Sequence, residues 1–272
     1  MINFNGTLLN EKNALLTANN RAFKYGDAIF ETIRYLDSKC SFIEDHYFRL
    51  MASMRMLRME IPMYFTVDFL KEEIDKTAIA NDLKNARVRL TVFRNDGGTY
   101  APETHQASFL IECVRLEYTV KDTYVIDVFK DYFISTGLLS TVKTTNRLIN
   151  VLAGIYATEN KLDNCILLND KKFVAEAING NLFIVVGKNI KTPSLQEGCI
   201  HGIIRKKIIE IISDDTEFEI EETAISPFEL LKADELFITN AIIGVQPVKK
   251  YRKTEFSDKV SKELRFRLEA LI

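Results

Sequence analysis

Thr141-Val142-Lys143-Thr144-Thr145-Asn146-Arg147-Leu148 opens the stretch on which the reading of this chain turns. Three short pieces downstream complete it: Phe173-Val174-Ala175-Glu176-Ala177, Asn181-Leu182-Phe183 and Gly202-Ile203-Ile204-Arg205. Lys143 follows the loop-like Gly137 to Thr141. It precedes residues at helical spacing, Leu148, Val151, Leu152, Ile155 and Tyr156, which fall on one apolar stripe. Thr144, Thr145 and Asn146 stand where a helix takes its N-terminal cap. A lysine beside a helix start feels the positive end of the dipole, which disfavours ammonium. Its pKa then falls below the ordinary ~10.4, and an easily lost proton is what Schiff-base chemistry requires. A surface lysine near a cap has the same local pattern, so Lys143 gains meaning only from its surroundings.

Those surroundings read as a β-meander. Cys165 to Asn169 is a strand, Asp170-Lys171-Lys172 a turn, and Phe173 to Ala177 a second strand. Ile178-Asn179-Gly180 turns the chain again into Asn181 to Val186. Glu176 sits inside an apolar strand, where an inward carboxylate is costly unless paired. An arginine partner would satisfy it, and so would a protonated pyridine nitrogen. Gly198 to Gly202 precedes a helix with Ile203, Ile204, Ile208, Ile211 and Ile212 inside. A glycine before a helix lets the first amides, at Gly202, Ile203 and Ile204, reach an anion. No G-x-G-x-x-G run is present, so this is not a dinucleotide motif.

The order Lys143-x-x-Asn146-Arg147-Leu148, Asn169-x-x-x-x-Val174-x-Glu176, Asn181-Leu182-Phe183, Thr192-Pro193, Gly202-Ile203-x-Arg205 resembles the class IV pyridoxal-phosphate enzymes. That family holds branched-chain and D-amino acid aminotransferases and aminodeoxychorismate lyases, and the resemblance covers nearly the whole chain. It implies a mixed α/β (α+β) architecture of fold type IV, with a small N-terminal α/β domain and a larger C-terminal, β-barrel-like domain. The expected boundaries are 1–116 for the first domain, 117–122 for a polar linker, and 123–272 for the larger cofactor-binding domain. Pyridoxal 5'-phosphate is the implied cofactor. It would be held as a Schiff base by Lys143, with Glu176 on its ring nitrogen and a homodimer as the assembly.

Further site residues follow from the same resemblance. Tyr25-Gly26-Asp27-Ala28-Ile29-Phe30-Glu31-Thr32-Ile33-Arg34 is similar to the family's substrate-side motif. Ala28 to Leu36 reads as a strand after a loop over Arg21 to Asp27, with Phe30, Thr32 and Arg34 on one face. The resemblance implies that Tyr25, Phe30, Thr32 and Arg34 line the substrate pocket. A helix from Asp45 to Met59 carries His46-Tyr47-Phe48-Arg49-Leu50. The family's arginine in that motif binds the cofactor phosphate, for which a guanidinium fork is suited, and the role passes to Arg49. Thr66 caps a second helix, with Phe69, Ile74 and Ile79 inward. Arg87 and Arg89 share a face of the next strand, and Arg89 matches a family arginine that captures a substrate carboxylate. Late in the chain, Thr239 and Asn240 end a strand where the family touches the phosphate, with Asn240 preferred. Ser226-Pro227 reads as a helix start and Ser257 as the cap of a last helix, with Val260, Leu264, Leu268 and Leu271 inward.

One departure divides the family. Where branched-chain members place a tyrosine facing the cofactor's phenolic oxygen, this chain has Arg147, as aminodeoxychorismate lyases do; Thr32 also matches those lyases. Two activities are therefore expected: transamination, which is preferred, or pyruvate elimination to give 4-aminobenzoate. A non-enzymatic binding protein on the same fold is a third reading, disfavoured because Lys143 and Glu176 are both retained.

Bulk properties fit. In 272 residues, 47% are hydrophobic and 27% charged, enough for a packed core with a wet surface. A net charge of −2 gives no global field towards nucleic acid or a membrane surface. No apolar run approaches the ~20 residues that span a bilayer, and the start lacks the pattern of a signal peptide. Cys40, Cys113, Cys165 and Cys199 lack metal-ligand spacing and suit reduced thiols in a cytoplasmic compartment. No metal is expected.

Overall fold

The computed structural model describes residues 1–12 and 16–272. The chain divides into two units, 1–117 with 143–146, and 118–142 with 147–272.

The first unit is a six-stranded antiparallel sheet with helices on one face. Its elements are β1 (Ile2–Phe4), β2 (Thr7–Leu9), α1 (Arg21–Tyr25), β3 (Ala28–Leu36), β4 (Lys39–Cys40), α2 (Ile43–Met56), α3 (Val67–Ala80), β5 (Ala86–Arg94) and β6 (Ala107–Arg115), with strand order β2-β1-β6-β5-β3-β4. Alternation decides the faces. Ile29, Ile33, Val88, Leu90, Val92, Phe109 and Ile111 are buried with Leu50, Met54, Leu70 and Ile74 of the helices. Phe30, Thr32 and Arg34 point the other way, beside Thr91, Arg89 and Arg87 of β5.

Two local readings change here. Arg21 to Tyr25 is a short helix rather than a loop, capped by the Asn20 side chain and ended by Gly26 at φ +64°. Thr66 does cap α3, accepting from Phe69 N. The inward stripe of that helix, however, is Leu70, Ile74, Thr77 and Ala78, and Ile79 is 75% exposed.

The second unit contains β7 (Val125–Ile134), α4 (Leu148–Glu159), β8 (Asn164–Asn169), β9 (Val174–Ala177), β10 (Asn181–Val186), β11 (Asn189–Pro193), α5 (Ile203–Ser213), β12 (Glu219–Thr223), β13 (Glu235–Asn240), β14 (Gly244–Val248), β15 (Lys250–Tyr251), β16 (Thr254–Glu255) and α6 (Lys259–Glu269). The strands form two sheets, β16-β15-β7-β8-β9 and β12-β11-β10-β13-β14. One apolar core, including Ile126, Ile166, Val174, Leu182, Ile184, Leu236, Ile238 and Val248, draws on both sheets. The meander therefore passes from one sheet to the other at the β9–β10 turn, where a single bridge pairs Ala177 with Gly180.

The stripe expected on α4 is split. Leu152 and Tyr156 pack towards Phe129, Cys165 and Leu167 with Ala153 and Ala157, whereas Leu148, Val151 and Ile155 are exposed. Nor do Thr144 to Asn146 cap this helix: its N-cap is Arg147, without a side-chain cap bond. Ser226-Pro227 leads only into a 3-10 turn over Glu229–Lys232. The α6 start is served from across the fold by buried Glu235, which accepts from Val260 N and Ser261 N and from the Ser257 and Ser261 hydroxyls. Leu271 is exposed.

Candidate active site

In the first unit the candidate residues gather on and around β3. The backbone of 143–145 lies along the free edge of its first half: Phe30 N donates to Lys143 O at 2.9 Å, Thr145 N donates to Ala28 O at 3.0 Å, and Thr144 bridges Ile29. Asn146 Nδ2 donates to Gly26 O at 3.0 Å. Any Cβ at Gly26 would stand 2.1 Å from Asn146 Oδ1, so both its left-handed φ and this approach require glycine. Lys143 Nζ lies 4.5 Å from the centroid of the Phe30 ring, and the Arg89 guanidinium carbon 3.9 Å from the same ring. Two cations thus meet one aromatic side chain, an arrangement that the ring quadrupole favours.

Arg49 is not a helix-surface residue. It is nearly buried, and its Nε donates to Glu31 Oε1 at 2.8 Å while Nη2 donates to Oε2. His46 Nδ1 donates to Glu31 Oε2 at 2.7 Å, the carboxylate being able only to accept. Burial pushes the Glu31 carboxyl up, but Arg49 and His46 outweigh it and hold the pKa at about 2. Burial lowers the pKa of His46, which is neutral, and Arg49 and Lys143 add to that. Glu31 and His46 thus orient Arg49 from the buried face of the sheet.

Tyr25 ends α1. Its ring centroid is 5.7 Å from that of Tyr100, and the Arg21 guanidinium lies 5.0 Å from it. Arg21 and Arg94 both donate to Asp27 Oδ2 at 2.9 Å, and Arg21 Nη1 also holds the carbonyls of Gly97 and Thr99. This fixes the turn-rich loop beside Tyr25, a role that neither arginine signals from its neighbours in sequence. Thr32 is opposite Arg89, which is opposite Glu112; Arg34 is buried opposite Arg87. Partial burial pulls the Arg89 pKa down, against the upward effect of Glu112.

In the second unit the candidates converge through one loop. Glu176 is 4% exposed, and its Oε2 accepts from Ile200 N at 2.9 Å. Ile200 O accepts from Asn181 Nδ2 at 2.9 Å and from Gly202 N at 2.8 Å. Asn181 pairs in register with Thr239, and its Oδ1 stands 2.0 Å from where a Cβ on Gly202 would lie. Gly202 is the N-cap of α5 and supplies no side-chain cap to the amides that open this helix. Thr239 Oγ1 is buried without a hydrogen-bond partner. Asn240 Oδ1, by contrast, is used locally, accepting from Ile242 N and Ile243 N at 3.0 Å. Arg147 Nη1 lies 3.8 Å from Glu176 Oε1, and its Nη2 donates to Val142 O at 3.0 Å. Arg205 binds Pro193 O and Glu222 and so ties α5 to β11 and β12.

A buried carboxylate, an unsatisfied buried hydroxyl and an uncapped helix start suit a small molecule with a basic ring nitrogen and an anionic tail. The sequence profile of the amino-transferase class IV family matches residues 28–251. The chain belongs to the class IV aminotransferase family. It is therefore an enzyme. A protein of Methanocaldococcus jannaschii that carries the name of a branched-chain-amino-acid aminotransferase is 30% identical over 253 residues, 91% of this chain and 86% of its own. The aminodeoxychorismate lyase of Bacillus subtilis is 30% identical over 267 residues, 94% of this chain and 88% of its own. The branched-chain amino acid aminotransferase of Escherichia coli shares the fold, with a TM-score of 0.90 at 22% identity over 99% of this chain and 93% of that one. The family's two activities thus both stand among similar proteins.

Proposed function

We propose that the chain is a pyridoxal-phosphate-dependent aminotransferase that moves an amino group between an amino acid and a 2-oxo acid. The observation that carries this reading is the set of groups prepared around the Ile200 loop: buried Glu176, unpartnered Thr239 Oγ1 and the uncapped start of α5. These groups fit a pyridoxal phosphate. Glu176 would hold its ring nitrogen; Ile203, Ile204 and Thr239 would hold its phosphate, beside Gly202, whose own amide donates to Ile200 O. Thr239 is preferred to Asn240, whose oxygen already serves a turn. From the first unit, Arg49 would contribute to phosphate binding and Lys143 the amine.

The cofactor, when bound, supplies an electron sink for the pair released at the substrate Cα. Lys143 Nζ would be the amine that holds it and the base that moves the proton of the substrate Cα. Main-chain bonds fix the Lys143 backbone to β3, so only side-chain torsions carry the amine. The Phe30 ring lies against that amine, its centroid 4.5 Å away. Tyr25, Thr32, Arg34 and Arg89 are the proposed substrate contacts, with Arg89 or Arg34 receiving a carboxylate.

The second reading is 4-amino-4-deoxychorismate lyase. Arg147 in place of a tyrosine favours it, and the Bacillus subtilis enzyme is as similar to this chain, at 30% identity, as the Methanocaldococcus jannaschii protein. One paired assay separates the two. Keto-acid formation from a panel of L- and D-amino acids supports the aminotransferase. Pyruvate and 4-aminobenzoate released from aminodeoxychorismate, without transamination, overturn it.

A homodimer is proposed as the working assembly. Leu148, Val151 and Ile155 lie three and four residues apart on α4 and are exposed, an apolar face suited to a second copy. All four cysteines are free, which supports a reducing, cytoplasmic compartment.

A further inference from the structure

Glu176 is nearly enclosed, and a carboxylate in such a place takes up a proton unless something holds it charged. Within the second unit, several groups face it. Ile200 N donates to Oε2 at 2.9 Å. Arg147 Nη1 lies 3.8 Å from Oε1. Leu167 of β8, opposite in register, is apolar. Cys199 lies on the same loop as Ile200; burial, with Glu176 adding to it, pushes its thiol up to about 12, so it stays neutral. Arg147 is a permanent charge close to this carboxylate, since a guanidinium stays protonated in proteins.

Its position is built rather than incidental. Nη2 donates to Val142 O at 3.0 Å, which fixes the plane of the guanidinium. The residue occupies the N-cap of α4 yet makes no cap bond, leaving its side chain to other partners. The 3.8 Å separation exceeds the roughly 2.7–2.9 Å of a charge-assisted hydrogen bond. It is close enough to favour ionised Glu176.

We propose that Arg147 is the charge-setting residue for Glu176: it keeps the buried carboxylate ionised, so that a ring nitrogen meets a carboxylate and not a carboxylic acid. This rests on the reading of Glu176 as the cofactor's ring-nitrogen partner. Arg147 acts through Glu176, as a positioning residue. A tyrosine at this position carries no positive charge and could not do this, so the substitution that divides the family also changes the electrostatics of the ring-nitrogen site.

The test is the dissociation constant of pyridoxal phosphate, measured by equilibrium dialysis on the full chain from mildly alkaline to acid pH. Four proteins are compared: wild type, Arg147→Met, Arg147→Lys and Glu176→Gln. In Arg147→Met the loss of affinity on acidification begins at higher pH, and binding at neutral pH weakens by about tenfold, one pH unit's equivalent. At alkaline pH, where Glu176 is ionised regardless, that variant binds as tightly as wild type. Arg147→Lys keeps the charge and the wild-type profile. Equal weakening of Arg147→Met at every pH marks a merely structural role and overturns the inference, as does an unmoved profile. Glu176→Gln separates the two claims. If it loses the acid limb while Arg147→Met does not move it, the inference about Arg147 fails and the role of Glu176 stands. If Glu176→Gln binds with the wild-type affinity and profile, the reading of Glu176 itself fails.

Discussion

Arg49 on α2 donates to both carboxylate oxygens of Glu31 on β3, with Glu31 buried and Arg49 nearly so on the helix side of the sheet. Glu31 titrates at about 2 in the folded chain against an ordinary 4.5. A depressed carboxyl stabilises the fold above its unfolded pKa, and that contribution is lost as pH falls through the folded value. The shift corresponds to about 3 kcal/mol. Glu31→Gln is therefore expected to lower stability by about this amount at neutral pH. The difference from wild type should close between pH 4.5 and about 2. Urea unfolding at a series of pH values checks this; a difference that stays constant down to the lower limit rejects the ion pair as its source.

Lys143 is held to β3 by its own carbonyl, not by its side chain. Lys143→Ala should therefore keep the fold, with an unchanged far-ultraviolet spectrum, while activity falls by more than about a thousandfold. The visible absorbance of the lysine-bound cofactor should vanish with it. A variant that retains that band removes Lys143 from the proposed role.

Gly202 has ordinary φ and ψ, so only space forbids a side chain there: the added Cβ would meet Asn181 Oδ1 at 2.0 Å. Gly202→Ala is expected to push apart the loop that joins Glu176, Ile200 and the start of α5. Cofactor affinity should weaken by about tenfold or more, a shift of at least ~1.4 kcal/mol. Shortening the neighbour in Gly202→Ala/Asn181→Ser should recover part of that loss. It should not recover all of it, because Asn181 Nδ2 also holds Ile200 O. Equilibrium dialysis reads both variants, and an undiminished affinity in Gly202→Ala rules out the close approach as a constraint.

These residues also show what a sequence can and cannot convey. Glu176 and Gly202 are legible because their oddity is local: a carboxylate within an apolar strand, a glycine at a helix start. The alternation of β3 and β5 is equally local, and it assigns Phe30, Thr32 and Arg34 to the face on which they lie. Asn181 is different. Its role depends on the Ile200 carbonyl, which only the β9–β10 crossover between sheets brings near. Asn146 has the side chain of a helix cap, but the carbonyl of Gly26, 120 residues earlier, takes its amide. Local propensity loses there to a tertiary hydrogen bond. The partner of Arg49, Glu31, is likewise visible only once β3 and α2 pack.

The α4 helix is the last such case, and it yields a prediction about assembly. A helix that is apolar all round offers two apolar faces, and periodicity alone does not say which is covered within the chain. Small Ala153 and Ala157 sit against the sheet with Leu152 and Tyr156, while Leu148 is 70%, Val151 56% and Ile155 51% exposed. Water contact with three large side chains on one face is unfavourable, at about 25 cal/mol for each Å² that association could bury. If a second copy covers this face, a charge there meets its own symmetry mate or an apolar surface and is desolvated without a partner. If the chain is the proposed dimer, Val151→Asp/Ile155→Asp is therefore expected to sediment as a monomer at equilibrium, with the helical content retained because both side chains face outward. A double variant that sediments as a dimer would place the interface elsewhere on the chain.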